Sequence, residues 1–547
     1  LEAPTATAKP YPNLYHARQH QFVSQNMKLF THLPSNDWGA QADGTYLNPV
    51  LWSDYNNPFF LQHEDDFYMV SASHHFMGMP VLHSRDLVNW KIIARIYSSL
   101  DYDAKYNHPG QGYQQGSWAP SLAYHDGKFI VHCGNSVDGL FASTASDIKG
   151  PWEPVRLIHK ANHWEDPCPF WDDDGKAYLI HSGFGPSPLV IHKMSSDGMH
   201  ILDEGFTIRE TYPSVHNPLI LKRYGYYYIF GMGHGQHDIR GEYVYRSKYI
   251  YGPFEERRIL TAGGEGCSPG GGGWAELPDG SCWFIHHVGF AGYGRVPFLE
   301  PAGWSNEWPW IGKADAENEP GTVVGRCALP FGQSPPRNPV LNELDDFNSE
   351  SLNLAWRWNH NPASALWSLT ERPGYLRLKA DTLEKSAGED GLHQNVPAED
   401  DSILFARNVL SQLTVGNSCT GTTLVDISNM EDGQRAGLCY FNKSYAWIGV
   451  IQENGIRSLA VYAKSEGTLV KRAGPEVTVR KHIYLRGTAK HGIGALYYSF
   501  DGESFVQLMA DIVFRTEWFE SHSIALFTYN AYARRGQVDF DWFKVTS

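Results

Sequence analysis

Five short stretches along the chain repeat one arrangement of polar and apolar positions, a polar turn followed at once by an aromatic-rich apolar run. They are Asp65-Asp66-Phe67-Tyr68-Met69-Val70, Asp126-Gly127-Lys128-Phe129-Ile130-Val131, Asp174-Gly175-Lys176-Ala177-Tyr178-Leu179-Ile180, Tyr224-Gly225-Tyr226-Tyr227-Tyr228-Ile229 and Asp279-Gly280-Ser281-Cys282-Trp283-Phe284-Ile285. Asp-Gly between two apolar runs marks a tight hairpin. Anchored on the second turn residue, the repeats fall at 66, 127, 175, 225 and 280, spaced 61, 48, 50 and 55 residues apart. Four short strands with their turns need about 40–50 residues, the period of a propeller blade. The 3.6-residue apolar period of helical repeats is missing. A second element recurs in phase, in His83-Ser84-Arg85-Asp86-Leu87-Val88-Asn89-Trp90, Ser146-Asp147-Ile148-Lys149-Gly150-Pro151-Trp152 and Tyr251-Gly252-Pro253-Phe254. The pattern predicts an all-β chain with a five-bladed β-propeller.

Just before each hairpin lies a predicted first strand, opening on Asn57-Pro58, Ala119-Pro120, Asp166-Pro167 and Asn217-Pro218, with the fifth near Gly273-Trp274. Innermost strands of a propeller line its channel, so residues at these openings converge on the axis. Asn57, Asp166 and His216, the last one step before Asn217, are the polar ones. Any one of them alone is accounted for by capping a strand end; three at equivalent points favour a site.

The Pro-rich stretch at 333–343 reads as a linker. Beyond it, runs such as Tyr375-Leu376-Arg377-Leu378-Lys379 and Tyr445-Ala446-Trp447-Ile448-Gly449-Val450 predict a β-sandwich over 344–547. The propeller then occupies 46–332, and residues 1–45, which show no repeat, form an arm over it.

Composition narrows the partners. A net charge of −15 without a Lys/Arg-rich block argues against nucleic acid. No apolar run approaches the roughly 20 residues that span a bilayer. The seven cysteines form no CxxC pair, which argues against zinc. His234 and His237 are spaced loosely enough for a metal, but no third ligand accompanies them, so neither metal nor cofactor is expected. The 18 Trp, 30 Tyr and 27 Phe suit sheet packing and sugar stacking equally. The sequon Asn442-Lys443-Ser444 matters only in a eukaryotic secretory route.

Asn48-Pro49-Val50-Leu51, Ser117-Trp118-Ala119-Pro120, Glu165-Asp166-Pro167, Lys222-Arg223-Tyr224-Gly225 and Tyr293-Gly294-Arg295-Val296 occur in an order that resembles glycoside hydrolase family 43. Ala406-Arg407-Asn408 and Arg435-Ala436-Gly437-Leu438 resemble the sandwich of its β-xylosidase-like members. The resemblance implies a secreted exo-glycosidase that removes xylose, arabinose or a related sugar from cell-wall glycans with inversion. Inversion uses a general acid and a general base about 6.5–9.5 Å apart.

Carried over residue by residue, the family's third carboxylate, an aspartate that tunes and orients the acid, falls on Asp166. The base falls on Asn57, the acid on His216, and an axial histidine near Gly270. The resemblance also implies substrate contacts from Arg295, Trp118 and His75; Phe59 and Asp54, flanking Asn57, join them as candidates.

Asn57 lacks a carboxylate's basicity. His216 can donate a proton when charged or accept one when neutral, and Asp166 nearby favours its charged form. The leading expectation is a diverged glycosidase with His216 and Asp166 as its proton-transfer pair and Asn57 holding water. The alternatives are a uronic-acid glycan lyase using His216 and Arg295, and a glycan-binding protein without turnover. Asp238, Glu242 and Glu265 are read as solvated loop charges.

Overall fold

A computed structural model describes residues 37–183, 188–209, 215–234, 240–261, 269–290, 292–314, 316, 319–333, 344–383 and 402–547. Among them the chain is all β; the three helical segments are single 3-10 turns, Ala104–Asn107, Ser364–Leu366 and Ile403–Phe405.

Each sequence repeat builds one antiparallel sheet. The first comprises Phe59–His63, Asp66–Val70, Pro80–Ser84 and Lys91–Arg95, and the second Trp118–His125, Lys128–Asn135, Gly139–Ala145 and Arg156–Lys160. The third comprises Glu165–Trp171, Ala177–Ser182, Leu189–Met194 and Phe206–Arg209. The fourth holds Val215–Arg223, Tyr226–His234, Arg240–Ser247 and Glu255–Thr261, with Gly321–Thr322 added in parallel. The fifth comprises Pro269–Glu276, Cys282–Phe290, Gly294–Ser305 and Trp308–Ile311.

The predicted turns are the hairpin turns. Asp126, Gly127, Tyr224 and Gly225 all take positive φ (48°, 76°, 52° and 74°), as two-residue turns matched to strand twist require. In the first sheet the turn falls on Glu64–Asp65, one residue earlier than the predicted anchor. Two adjacent aspartates offer no glycine to mark which residue turns.

The first strands pack side by side in chain order, and the fifth packs against the first. Four of them carry a left-handed residue immediately before proline: Asn57 (φ 46°), Ala119 (31°), Asp166 (53°) and Asn217 (51°). Proline normally drives its predecessor to extended backbone, so each is a strained kink held by its surroundings. In the fifth strand the kink falls on Gly271 (φ 61°), two residues before the predicted opening near Gly273-Trp274, and glycine carries it without strain. A Cβ there would stand 3.1 Å from the Asn217 side chain.

Beyond residue 344, an eight-stranded and a seven-stranded sheet share one apolar core, which includes Leu438, Ile448, Leu485 and Phe540. That core continues into the first sheet through Met77 and Val70. The segment Tyr102–Gln115 joins the domains, with Tyr113 donating to the Leu404 carbonyl (2.7 Å) and stacking on Trp518. The predicted arm is described only from residue 37, where Gly39–Ala40 pairs with Thr45–Leu47; most of the arm and linker 334–343 lie outside the described residues.

Candidate active site

The kinks bring predicted residues together. Asn57 Nδ2 donates to Asn217 Oδ1 (3.0 Å), and the Asn217 backbone N–H donates to Asp166 Oδ2 (2.9 Å). The same carboxylate oxygen accepts from Ser182 Oγ at 2.7 Å and lies 3.5 Å from His216 Nδ1. Burial favours the neutral form of Asp166, but the contacts from His216, Ser182 and Asn217 outweigh it and hold its carboxyl below the usual range. Arg295 closes the group, donating to Asn56 Oδ1 (2.9 Å) and to Asn57 Oδ1. Phe59, two residues beyond Asn57, packs against three apolar clusters drawn from several sheets.

A carboxylate absent from the predicted set stands in this group. Glu165 is buried, accepts a hydrogen bond from Ser136 Oγ, and offers an oxygen within 4.8 Å of ligating atoms of both Asp166 and His216. Burial first, then the Asp166 charge, raise its carboxyl well above the usual range; Ser136 and Arg295 oppose this without cancelling it. Glu165, Asp166 and His216 each offer a polar atom to one shared space, an arrangement that suits proton sharing and, by donor type, a metal ion. The side chain of His234, and His237, Asp238 and Glu265 altogether, lie outside the described residues.

The sandwich supplies another group. Phe519, with φ 63°, sets its ring 5.6 Å from both His74 and Trp118, and the Arg295 guanidinium lies 5.4 Å from its centroid. Asn56 Nδ2 donates to the Phe519 carbonyl. Half-buried Phe519 thus walls the polar group from the other domain. Phe519→Ala is expected to weaken substrate binding by about 1–2 kcal/mol, roughly tenfold in KM, with a smaller change in kcat; steady-state kinetics checks this.

The remaining candidates are spread out. Trp118 is buried, its indole N–H donating to the Gln114 carbonyl (2.9 Å). His75 is buried among Phe76, Tyr113, Trp518 and His360, its ring nitrogens without hydrogen-bond partners among the described residues. Asp54 is buried beneath the site, accepting from the backbone N–H groups of Arg295 (2.8 Å) and Ser521 (2.6 Å). Gly294 makes this possible, because a Cβ there would lie 2.1 Å from the Asp54 carboxyl carbon. His75 and Asp54 are thus both held within the packed interior around the group. Glu242 corrects the expectation of a solvated loop charge: it lies within strand Arg240–Ser247, 1% exposed, and burial pushes its carboxyl far up. Asn442 of the sequon is also buried, donating to the Glu520 carbonyl (2.8 Å).

A propeller with polar groups gathered where its first strands meet, walled by a sandwich, defines a two-domain, all-β scaffold. The family model for glycosyl hydrolases family 43 matches residues 46–309, and that for the beta xylosidase C-terminal concanavalin A-like domain matches 344–546. A putative beta-xylosidase from Xylanibacter ruminicola is 35% identical over 515 residues, covering 90% of this chain and 89% of the relative. A beta-xylosidase from Formosa agariphila is 34% identical over 550 residues, covering 93% and 91%. A solved structure described as a bifunctional GH43-CE of Bacteroides eggerthii superposes with TM-score 0.78 at 26% identity, covering 94% of this chain and 64% of that longer one. The chain belongs to glycosyl hydrolase family 43, which makes it a glycosidase acting on carbohydrate. No helix among the described residues is long and apolar enough to cross a membrane.

Proposed function

We propose that the chain is an exo-acting hydrolase releasing xylose, arabinose or a related sugar from plant cell-wall glycans, at a site built on His216 and Asp166. Five sheets whose first strands pack in a cycle support a closed five-bladed propeller over 46–332, joined by 333–343 to the sandwich of 344–547. The observation that carries the reading is the bonded chain Asn57–Asn217–Asp166 with His216 alongside, which supports these residues acting together as acid, tuner and water-holder. Similarity to proteins named beta-xylosidase points to a pentose. Such polymers are met outside the cell, so the reading places the enzyme in an extracellular or periplasmic space, without a nucleic-acid or membrane partner.

On this reading His216 and Asp166 manage the proton of the leaving oxygen. Asn57, held by Asn217 and Arg295, presents its amide to water on the other face. Trp118, Phe59 and Arg295 position the sugar.

The test is product analysis on arabinoxylan, arabinan, arabinogalactan and uronic-acid glycans, with His216→Ala alongside. A released monosaccharide is expected, with kcat lowered about 10²–10⁴-fold in the variant and KM within a few fold. An unsaturated product absorbing in the ultraviolet would identify a lyase instead. Calorimetric binding without any product would identify a glycan-binding protein.

A further inference from the structure

The first strands carry two rows of residues toward the axis. One row is the kink itself: Asn57, Ala119, Asp166, Asn217 and Gly271. The second row lies one residue earlier, where the pairs Trp118↔Gly134, Glu165↔Ser182, His216↔Met232 and Gly270↔His287 each stand just before a register shift. Glu165 and His216 therefore occupy the same structural position in neighbouring sheets. The carboxylate absent from the fourth sheet is present, in register, in the third.

We propose that Glu165 is a catalytic residue, the carboxylic acid that protonates the leaving oxygen beside His216 and Asp166. The proposal rests on the reading of the chain as a hydrolase and names the proton donor within it. Proximity supports it: groups of Glu165, Asp166 and His216 lie within 4.8 Å of one another. An inverting acid and base stand about 6.5–9.5 Å apart to admit water. Glu165 and His216 are too close for that and work on one face of the sugar, leaving the water to the Asn57 side. Protonation supports it too. Glu165 is faced by Asp166, His216 and Arg295; burial and the Asp166 charge keep its proton on in the range where ordinary carboxyls have lost theirs. Ser136 Oγ fixes its orientation.

In the step, the Glu165 proton passes to the glycosidic oxygen as the bond from the anomeric carbon breaks, the electron pair staying on that oxygen. Water held at Asn57 bonds through its oxygen to the anomeric carbon and releases a proton to solvent. The Glu165 carboxylate then regains a proton from solvent by way of His216.

The experiment compares wild type, Glu165→Gln and His216→Gln on aryl xylosides and arabinofuranosides whose leaving phenols range from phenol to dinitrophenol. An acid catalyst matters most for poor leaving groups, so Glu165→Gln is expected to lose about 10²–10⁴-fold on phenyl glycosides and less than about tenfold on dinitrophenyl ones. Ser136→Ala, a second variant in case Glu165→Gln does not fold, removes a donor that favours the ionised carboxylate. It is expected to move the alkaline limb of kcat/KM to higher pH. Equal losses across all leaving groups, or leaving-group dependence confined to His216→Gln, overturn the proposal and leave the hydrolase reading standing. An unmoved limb in Ser136→Ala likewise overturns the proposal alone. A wild-type protein that cleaves none of the glycosides overturns both.

Discussion

Glu520→Ala is expected to destabilise the protein by about 3–5 kcal/mol, the cost of removing one member of a buried ion pair. Glu520 is 3% exposed; its Oε2 lies 3.0 Å from Arg357 Nη2, and its Oε1 accepts from the His74 backbone N–H (3.1 Å) while facing His74 Nδ1 at 3.2 Å. Arg357 is itself buried, over the Phe76 ring, so the alanine variant leaves a buried charge without this partner. The neutral Glu520→Gln keeps the volume and is expected to cost less. Because His74 belongs to the propeller and Glu520 to the sandwich, the loss should appear as earlier thermal unfolding with weakened docking of Phe519.

The same carboxylate makes acid stability testable. Burial favours neutral Glu520, but the Arg357 charge and the His74 contacts outweigh this and hold its carboxyl below its unfolded value of 4.5. A group lowered on folding contributes stability that is complete above its unfolded pKa and is lost as pH falls through the folded one. Wild type therefore loses this contribution as pH drops below about 4.5, and Glu520→Ala lacks that loss. Asp54 acts with the opposite sign. Burial, then the Glu520 charge, push it up to about 7 against the N–H groups of Ser521 and Arg295, so its effect on stability worsens as pH rises from 3.8 to about 7. Urea midpoints across pH for wild type and Glu520→Ala check both slopes; parallel curves below pH 4.5 would contradict the assignment.

Legibility of the chain followed the range of each signal. Turns and pre-proline openings are local, so the five repeats and the convergence of Asn57, Asp166 and His216 could be read directly. Glu165 lies within the Glu165-Asp166-Pro167 motif, where only the proline-adjacent Asp166 stands at a predicted strand opening. Only strand register shows that it and His216 are equivalent. Glu242 looked like a loop charge because buried carboxylates are rare; the strand pairing that buries it is non-local. Nothing near Phe519 and Glu520 announces a role at the axis, since the partner His74 is 446 residues away from Glu520. A contact of that span has no periodicity to betray it. His75 enters the candidate set through the family resemblance, and its aromatic neighbours enclose it.

Asp166→Asn is expected to lower kcat by about 10²–10³-fold and to move the alkaline limb of the pH profile toward acid. The amide can keep its oxygen where Ser182 Oγ and the Asn217 N–H donate, at 2.7 and 2.9 Å, so the kink should survive. What disappears is the negative charge facing His216 Nδ1 at 3.5 Å and standing beside the Glu165 carboxyl. Glu165 is raised first by burial and then by that charge. Removing the charge lets Glu165 ionise at lower pH, so the protonated population needed for donation shrinks sooner on the alkaline side. Trp118, Phe519 and Arg295 keep their places, and KM should change only a few fold. The measurement is kcat/KM against pH for wild type and Asp166→Asn on a phenyl glycoside. A reduced rate with an unmoved alkaline limb would show that Asp166 acts through position alone, and a limb displaced toward alkali would reverse the electrostatic argument.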